Sequence, residues 1–241
     1  MKRIYSIDIF DTVLTRNVLY PKDVFHLVQY ALCTQFQALP VRLGTSFWGE
    51  RVWAEFIARR KTIRDDISIT DIYQELGRRH GLDSALSEKL MELELEIEST
   101  VLQPVHGASI LLDALRKENA GLVFISDMYL PSGFIREVLE RYHLYLPGDR
   151  VYVSGEKGIT KGSGKLFSLV LQEIGIQPHE LVHYGDNLRS DYLVPKSMGI
   201  KMLHETGFQT KAPFIFALKQ NFVYLRELID ARIEISGARH V

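Results

Sequence analysis

Five short apolar runs constrain the fold of this chain more than any other feature. They are Ile4–Ile7 (IYSI), Leu122–Ile125 (LVFI), Val151–Val153 (VYV), Leu181–Tyr184 (LVHY) and Ile200–Leu203 (IKML). Each is brief, with β-branched and aromatic residues frequent among them, so each reads as a short apolar strand. Helical periodicity fills the intervals between the later runs, at Gly133–Tyr142, Ser163–Ile174 and Ser190–Ser197, and a further amphipathic helix at Gly107–Lys117 leads into Leu122. Strands alternating with helices predict right-handed βαβ units, and therefore an α/β fold on a parallel sheet.

One interval breaks the alternation. From about Leu19 to Gln103 the pattern is helical, with little strand signal. Asp23–Phe36 and Phe47–Ala58 carry apolar stripes, Thr70 reads as the N-cap of a helix running to Gly77, and Ser87–Val101 is strongly helix-forming up to Pro104. The expected organisation is a Rossmann-like core from residues 1–16 and 104–241, with an all-helical insert, 17–103, after the first strand. The tail Pro213–Ile235 also reads as helical. Its apolar residues (Phe214, Phe216, Phe222, Tyr224, Leu228) are expected to pack on the core, and nothing in the sequence calls for a homo-oligomer.

Composition excludes several classes of function. The formal net charge is −1 over 241 residues, so no basic or acidic excess marks a nucleic-acid or membrane partner. The basic segment Arg59–Arg64 is short, is followed by Asp65 and Asp66, and reads as a solvated helix end. The single cysteine, Cys33, rules out an intramolecular disulfide and a cysteine-cluster zinc site, and its apolar surroundings predict burial. No apolar run is long enough to span a bilayer, and Asp8 and Asp11 interrupt any signal-peptide pattern, so the cytoplasm is the expected location. His183, inside a strand, reads as a core histidine, and Trp48 and Trp53 read as core packing.

In an open parallel sheet, ligands bind at the carboxyl ends of the strands. After Ile7 come Asp8, Ile9, Phe10, Asp11 and Thr12. After Ile125 come Ser126 and Asp127. Past Val153 lies the Gly-rich stretch SGEKGITKGSGK with Lys157, Lys161 and Lys165, and past Tyr184 come Gly185, Asp186, Asn187 and Asp191. Carboxylates, a hydroxyl and lysines on one edge suit metal-assisted phosphoryl transfer. Carboxylates hold Mg²⁺, a hard cation that takes oxygen ligands. Lysine and serine orient the phosphoryl oxygens, and one aspartate attacks.

These four segments, in this order, resemble the motifs of the haloacid dehalogenase (HAD) superfamily. In DIFDTV, the resemblance makes Asp8 the nucleophile and Thr12 the motif threonine. Ser126 of FISD becomes the phosphate-binding hydroxyl, and Lys161 of KGSGKLF the lysine, favoured over Lys157 and Lys165 by motif spacing. In GDNLRSD, Asp186 and Asp191 become the metal-side acids. The implied metal set is Asp8, the Phe10 carbonyl, Asp186 and Asp191 around Mg²⁺. The helical insert falls where the family carries its C1-type cap, whose closure excludes water and selects substrate. DIFDT, SDMYLP, KGSGKLF and HYGDN, with RVWAEFIA and ITDIYQEL in the insert, look like a subfamily of HAD hydrolases associated with glycosyltransferases of surface-polysaccharide synthesis. The implied substrate is a small phosphorylated metabolite such as a sugar phosphate. Arg16, Arg51 and Asp127 are the further candidates for contacting it. Their competing roles are a solvent-exposed arginine, an ion pair with Glu55 four residues on, and an orienting residue, respectively.

Phe10 departs from the family pattern, whose phosphatases carry there a second aspartate for general acid and base work. Loss of such a group typically costs ~10²–10⁴ in rate. Three readings follow. Asp11, or one of Arg51, Glu55, Glu94 and Glu98 in the insert, takes over the proton function. Alternatively the chain is dehalogenase-like, since halide leaves unprotonated. Or catalysis is lost and the fold binds a ligand or partner.

Overall fold

The structure, a computed structural model, describes residues 3–35, 39–118 and 121–203. They divide into two compact units: one gathers 3–15, 61–69 and 103–203, and the other 16–60 and 70–102. Residues 61–69, placed inside the insert by the sequence reading, group with the first unit instead. The tail reading at 213–235 lies outside the described residues.

The first unit is built on a five-stranded parallel sheet. Its strands are β1 (Ile4–Ile7), β4 (Gly121–Ser126), β5 (Arg150–Val153), β6 (Leu181–Tyr184) and β7 (Lys201–Met202), in the order β5-β4-β1-β6-β7. This is the expected Rossmann-like α/β core. Helices α5 (Ala108–Lys117), α6 (Ser132–Arg141) and α8 (Lys165–Ile174) supply the crossovers, with short α7 (Ser154–Lys157) and α9 (Val194–Ser197) after β5 and before β7. Two three-residue strands, β2 (Leu14–Arg16) and β3 (Leu102–Pro104), pair as a separate sheet that the sequence reading did not anticipate.

The strands are continuous apolar runs because both faces are covered. Val123 and Ile125 of β4 lie in one core cluster with Leu166, Phe167, Val170 and Leu171 of α8, at the i, i+1, i+4, i+5 spacing of a helical face. Full burial stabilises each such side chain by about 1.5–3 kcal/mol. α8 ends at Gly175, whose φ of 74° is the left-handed conformation that glycine adopts without Cβ strain. No helix of the described residues is long and apolar enough to cross a membrane.

The second unit is helical, with α1 (Val24–Gln35), α2 (Val41–Lys61), α3 (Ile69–His80) and α4 (Ser84–Val101), the last capped by the Asp83 carboxylate accepting from Leu86 N at 2.7 Å. α3 starts one residue before Thr70, which therefore sits within its first turn rather than capping it. α2 breaks at Ser46 (φ −149°), so its regular part begins at Phe47 as expected. Phe47, Arg51, Ala54 and Ala58 form its buried stripe. That stripe leaves Trp48 and Trp53 at 38% and 46% exposure, correcting their reading as core residues: Trp48 stacks on His26, and Trp53 meets Phe56. Cys33 likewise falls on the outer side of α1 and is exposed, contrary to expectation.

Candidate active site

The site follows from topology. β1 is central, the chain runs outward through β4 and β5, and it returns to the other side as β6 and β7. The sheet order therefore reverses at β1, and the crevice beyond the carboxyl ends of β4, β1 and β6 is where such sheets bind ligands. Ile7 pairs with Phe124 on one side and Tyr184 on the other. Asp8 stands one residue beyond, its amide donating to the Tyr184 carbonyl at 2.8 Å.

The chain turns sharply after Asp8. The Ile9 carbonyl accepts from both Val13 N and Leu14 N at 2.9 Å. Asp11 takes φ 59°, a left-handed conformation that aspartate tolerates better than most residues. Its carboxylate accepts from the Thr15 hydroxyl at 3.0 Å, which makes it a turn residue and ties it down. Phe10 is buried, and Thr12 returns its hydroxyl to Asp8 Oδ2 at 3.3 Å.

Lys161 is the centre of the cluster. It is 2% exposed, and its Nζ donates to Asp8 Oδ1 at 2.5 Å and Asp191 Oδ1 at 2.6 Å. Lys157 and Lys165, the alternatives in the same loop, pair with Glu173 and Asp65. Asp127 accepts from the amides of Lys161 (2.7 Å) and Gly162 (3.3 Å), so it orients the lysine loop. Ser126 ends β4, buried at the same edge.

The segment after β6 is shaped around Asp191. Asn187 Oδ1 accepts from the amides of Arg189 and Ser190, capping a π-helical turn over Leu188–Leu193, and Asn187 N donates to Asp191 Oδ2 at 3.0 Å. A Cβ on Gly185 would lie 2.5 Å from Asp191 Cγ, so only glycine permits this approach. Gly185→Ala is expected to cost about 1–3 kcal/mol of stability through overpacking against Asp191 and to weaken Mg²⁺ binding by displacing the adjoining Asp186. Urea unfolding and Mg²⁺ titration check both, and unchanged Mg²⁺ affinity in a destabilised variant would count against this role.

His183 is buried as expected, and the structure adds a role that the sequence reading missed. Its Nδ1 lies 2.8 Å from the Ser6 hydroxyl and its Nε2 3.2 Å from Asp191 Oδ1. Burial holds its pKa below the ordinary histidine value, against the pull of Asp191. A neutral ring has one donor and one acceptor, so Nε2–H donates to Asp191 while Nδ1 accepts from Ser6. A histidine two residues ahead of Gly185 was the available signal, but it is indistinguishable in sequence from core packing.

Burial, with the charges of Asp191 and Asp186, pushes the Asp8 carboxyl up to about 7 against the pull of Lys161. Burial works the same way on Asp191, but Lys161 and His183 outweigh it and hold that carboxyl below the ordinary range. For Lys161, burial alone would favour the neutral amine, yet Asp8 and Asp191 raise its pKa.

Asp8, Asp186 and Asp191 bring carboxylate oxygens within 4.8 Å of one another. Three carboxylates gather around the Lys161 ammonium, and their all-oxygen donor set fits a hard divalent cation such as Mg²⁺. Because the Asp8 pKa is raised on folding, its contribution to stability is full below the ordinary carboxylate range and is lost as pH rises through about 7. A cation competes with that proton. The Tm increase from saturating Mg²⁺ is therefore expected to be larger at about pH 8 than at about pH 6. Equal increases at both would show that Asp8 is not at the metal.

Arg16 and Arg51 lie in the helical unit, each engaged by carboxylates. Arg51 is fully buried, held by Glu94 through Nε (2.7 Å) and Nη2 (2.8 Å) and by Glu55 at 3.1 Å, with Phe25 and Tyr73 against its guanidinium. Arg16 is ion-paired with Glu98. Both arginines are thus engaged within the helical unit, Arg51 with the expected Glu55 among its partners, and Glu94 and Glu98 are buried with them.

No protein-family model and no curated protein matches the sequence. Solved structures do match. A 2-haloacid dehalogenase from Pseudomonas syringae aligns over 88% of this chain and 91% of its own, with TM-score 0.56 and 16% identity. A HAD phosphatase from Thermococcus onnurineus covers 91% and 97%, with TM-score 0.53 and 21% identity. A HAD family enzyme from Bacteroides thetaiotaomicron, complexed with magnesium and inorganic phosphate, covers 90% and 100%, with TM-score 0.52 and 12% identity. The fold is therefore that of the HAD enzymes, reached at low sequence identity.

Proposed function

We propose that the protein is a Mg²⁺-dependent HAD-type phosphatase. Its substrate is a small phosphorylated metabolite, such as a sugar phosphate of surface-polysaccharide synthesis, and Asp8 forms the aspartyl-phosphate. The helical unit is assigned the part of the C1-type cap. The observation that carries this reading is the buried Asp8–Lys161–Asp191 ion cluster with Asp186 beside it, at the sheet's switch point.

Asp8 attacks phosphorus through a carboxylate oxygen as the P–O ester bond breaks, and the departing alkoxide takes its proton from solvent water. A second water then cleaves the acyl-phosphate, gives its proton to solvent, releases inorganic phosphate and regenerates Asp8. Lys161, Thr12 and Ser126 hold the transferring phosphoryl oxygens and offset the charge that builds on them. Asp8, the Phe10 carbonyl and Asp186 would hold Mg²⁺, with Asp191 acting through Lys161. The bound ion supplies charge neutralisation and in-line alignment of the phosphoryl group. The sugar-phosphate assignment rests on the resemblance of the motifs.

Phe10 favours a second reading, a haloacid dehalogenase, because a halide leaves without a proton. The three-carboxylate cluster favours the phosphatase, since halide displacement needs no divalent cation. The deciding experiment is a substrate panel of sugar phosphates, generic phosphomonoesters and 2-haloacids, with Mg²⁺ or EDTA. Mg²⁺-dependent phosphate release supports the phosphatase, and metal-independent halide release supports the dehalogenase. Neither release, with folding and Mg²⁺ binding intact, would point to a ligand-binding protein.

A further inference from the structure

We infer that residues 64–69 form a strap that sets the position of Lys161, with Asp66 as a positioning residue. This deepens the phosphatase reading and rests on it for its chemical meaning. The segment joins α2 to α3 but packs within the sheet unit.

A chain of hydrogen bonds runs from the strap to the lysine. Asp66 is buried, and its Oδ2 accepts from the Ser154 hydroxyl at 2.5 Å, while its Oδ1 accepts from Ile67 N at 2.9 Å. Ser154 Oγ in turn accepts from Met128 N at 2.8 Å. Met128 follows Asp127, the residue whose carboxylate holds the Lys161 and Gly162 amides. The backbone reinforces the same junction: Ile69 N donates to the Tyr129 carbonyl at 2.8 Å and Gly155 N to the Met128 carbonyl at 3.0 Å.

Gly155 shows how tightly these segments meet. A Cβ there would lie 2.5 Å from the Ile67 carbonyl oxygen and 2.8 Å from that of Met128. Both are backbone atoms, so neither yields cheaply. The strap also touches the lysine loop directly, since Asp65 N donates to the Gly158 carbonyl at 2.9 Å and Asp65 accepts from Ser163 and Lys165. That second contact is exposed, and exposed ion pairs contribute little. The buried Asp66–Ser154 bond is the one that holds.

The phosphate chemistry needs Lys161 fixed between Asp8 and Asp191, because small displacements of a charged donor cost disproportionately in a pre-organised site. Asp66 acts on that placement through Ser154 and Asp127, without contact with Lys161 itself.

The test is residue-resolved amide exchange on the full chain, with Asp66→Ala, Ser154→Ala and Asp66→Asn. Exchange at Lys161 and Gly162 is expected to accelerate at least about tenfold in the two alanine variants, with β1 and β6 amides unchanged. Asp66→Asn, which keeps an oxygen acceptor, should show a smaller effect. Acceleration confined to residues 64–69 and 128–129 overturns the proposal. Titration with inorganic phosphate in the presence of Mg²⁺ supplies the second arm. Weaker phosphate binding by Asp66→Ala, at unchanged Mg²⁺ affinity, supports the positioning role, and wild-type phosphate affinity in that variant overturns it. A wild-type protein that binds no phosphate would instead overturn the phosphatase reading, and the strap is then decided by exchange alone.

Discussion

Asp8→Asn is expected to lose phosphate release by about 10⁴-fold or more, the scale seen when a covalent nucleophile is removed, while its Tm at about pH 8 is no lower than wild type. The two halves have one cause. Burial and two neighbouring carboxylates push the Asp8 pKa up to about 7, so above that pH the folded protein holds an unfavourable anion. Asparagine has the same shape and still offers Lys161 an oxygen, but carries no charge to bury. It also cannot form the acyl-phosphate. Phosphate release and thermal unfolding, measured on one preparation, check both halves. A variant that loses activity together with several degrees of Tm would mean that Asp8 is chiefly a structural ion-pair partner. Retained activity would remove Asp8 as the nucleophile.

Much of the sheet and its site was legible in the sequence, for a physical reason. A strand buried on both faces has to be a continuous apolar run, and a parallel sheet delivers the residue after each strand to one edge. Asp8, Ser126 and Asp186 are all legible that way, and Lys161 by its spacing in the Gly-rich loop. The strap was not. Asp65 and Asp66, next to basic residues and short of a helix, carry the pattern of a solvated turn, and only the fold brings Ser154 to Asp66. Arg51 was half legible, since its pair with Glu55 four residues on follows from helical spacing but its burial does not. A helix-surface arginine and a buried one look alike in sequence, and what decides between them is Glu94, 43 residues away. Trp48 and Trp53 were misread because their size outweighed their phase: the buried stripe runs through Phe47, Arg51 and Ala54.

Lys161→Met should be the most destabilising single change at the site. Breaking a buried ion pair by removing one partner typically costs about 3–5 kcal/mol, because the other charge stays behind without compensation. Here two stay behind, Asp8 and Asp191, with Asp186 nearby. The raised pKa of Lys161 gives the same sign: its stabilisation is fully present below the ordinary lysine range and is lost only at higher pH. A fall in Tm of roughly 10 °C follows for a chain of this size. The loss should shrink as pH falls, since Asp8, released from the downward pull of Lys161, takes up its proton at a pH above about 7, and shrink again with Mg²⁺, which supplies positive charge to the same carboxylates. In the double variant Asp8→Asn/Lys161→Met the cost should be well below that of Lys161→Met alone, since the amide leaves one uncompensated charge fewer in the cluster. A Lys161→Met protein as stable as wild type at about pH 8, or one whose loss ignores both pH and Mg²⁺, would refute the charge-balance account of this site. Catalysis and stability are tied at this residue: the ammonium that would hold the phosphoryl oxygens is the one that lets two carboxylates share a buried space.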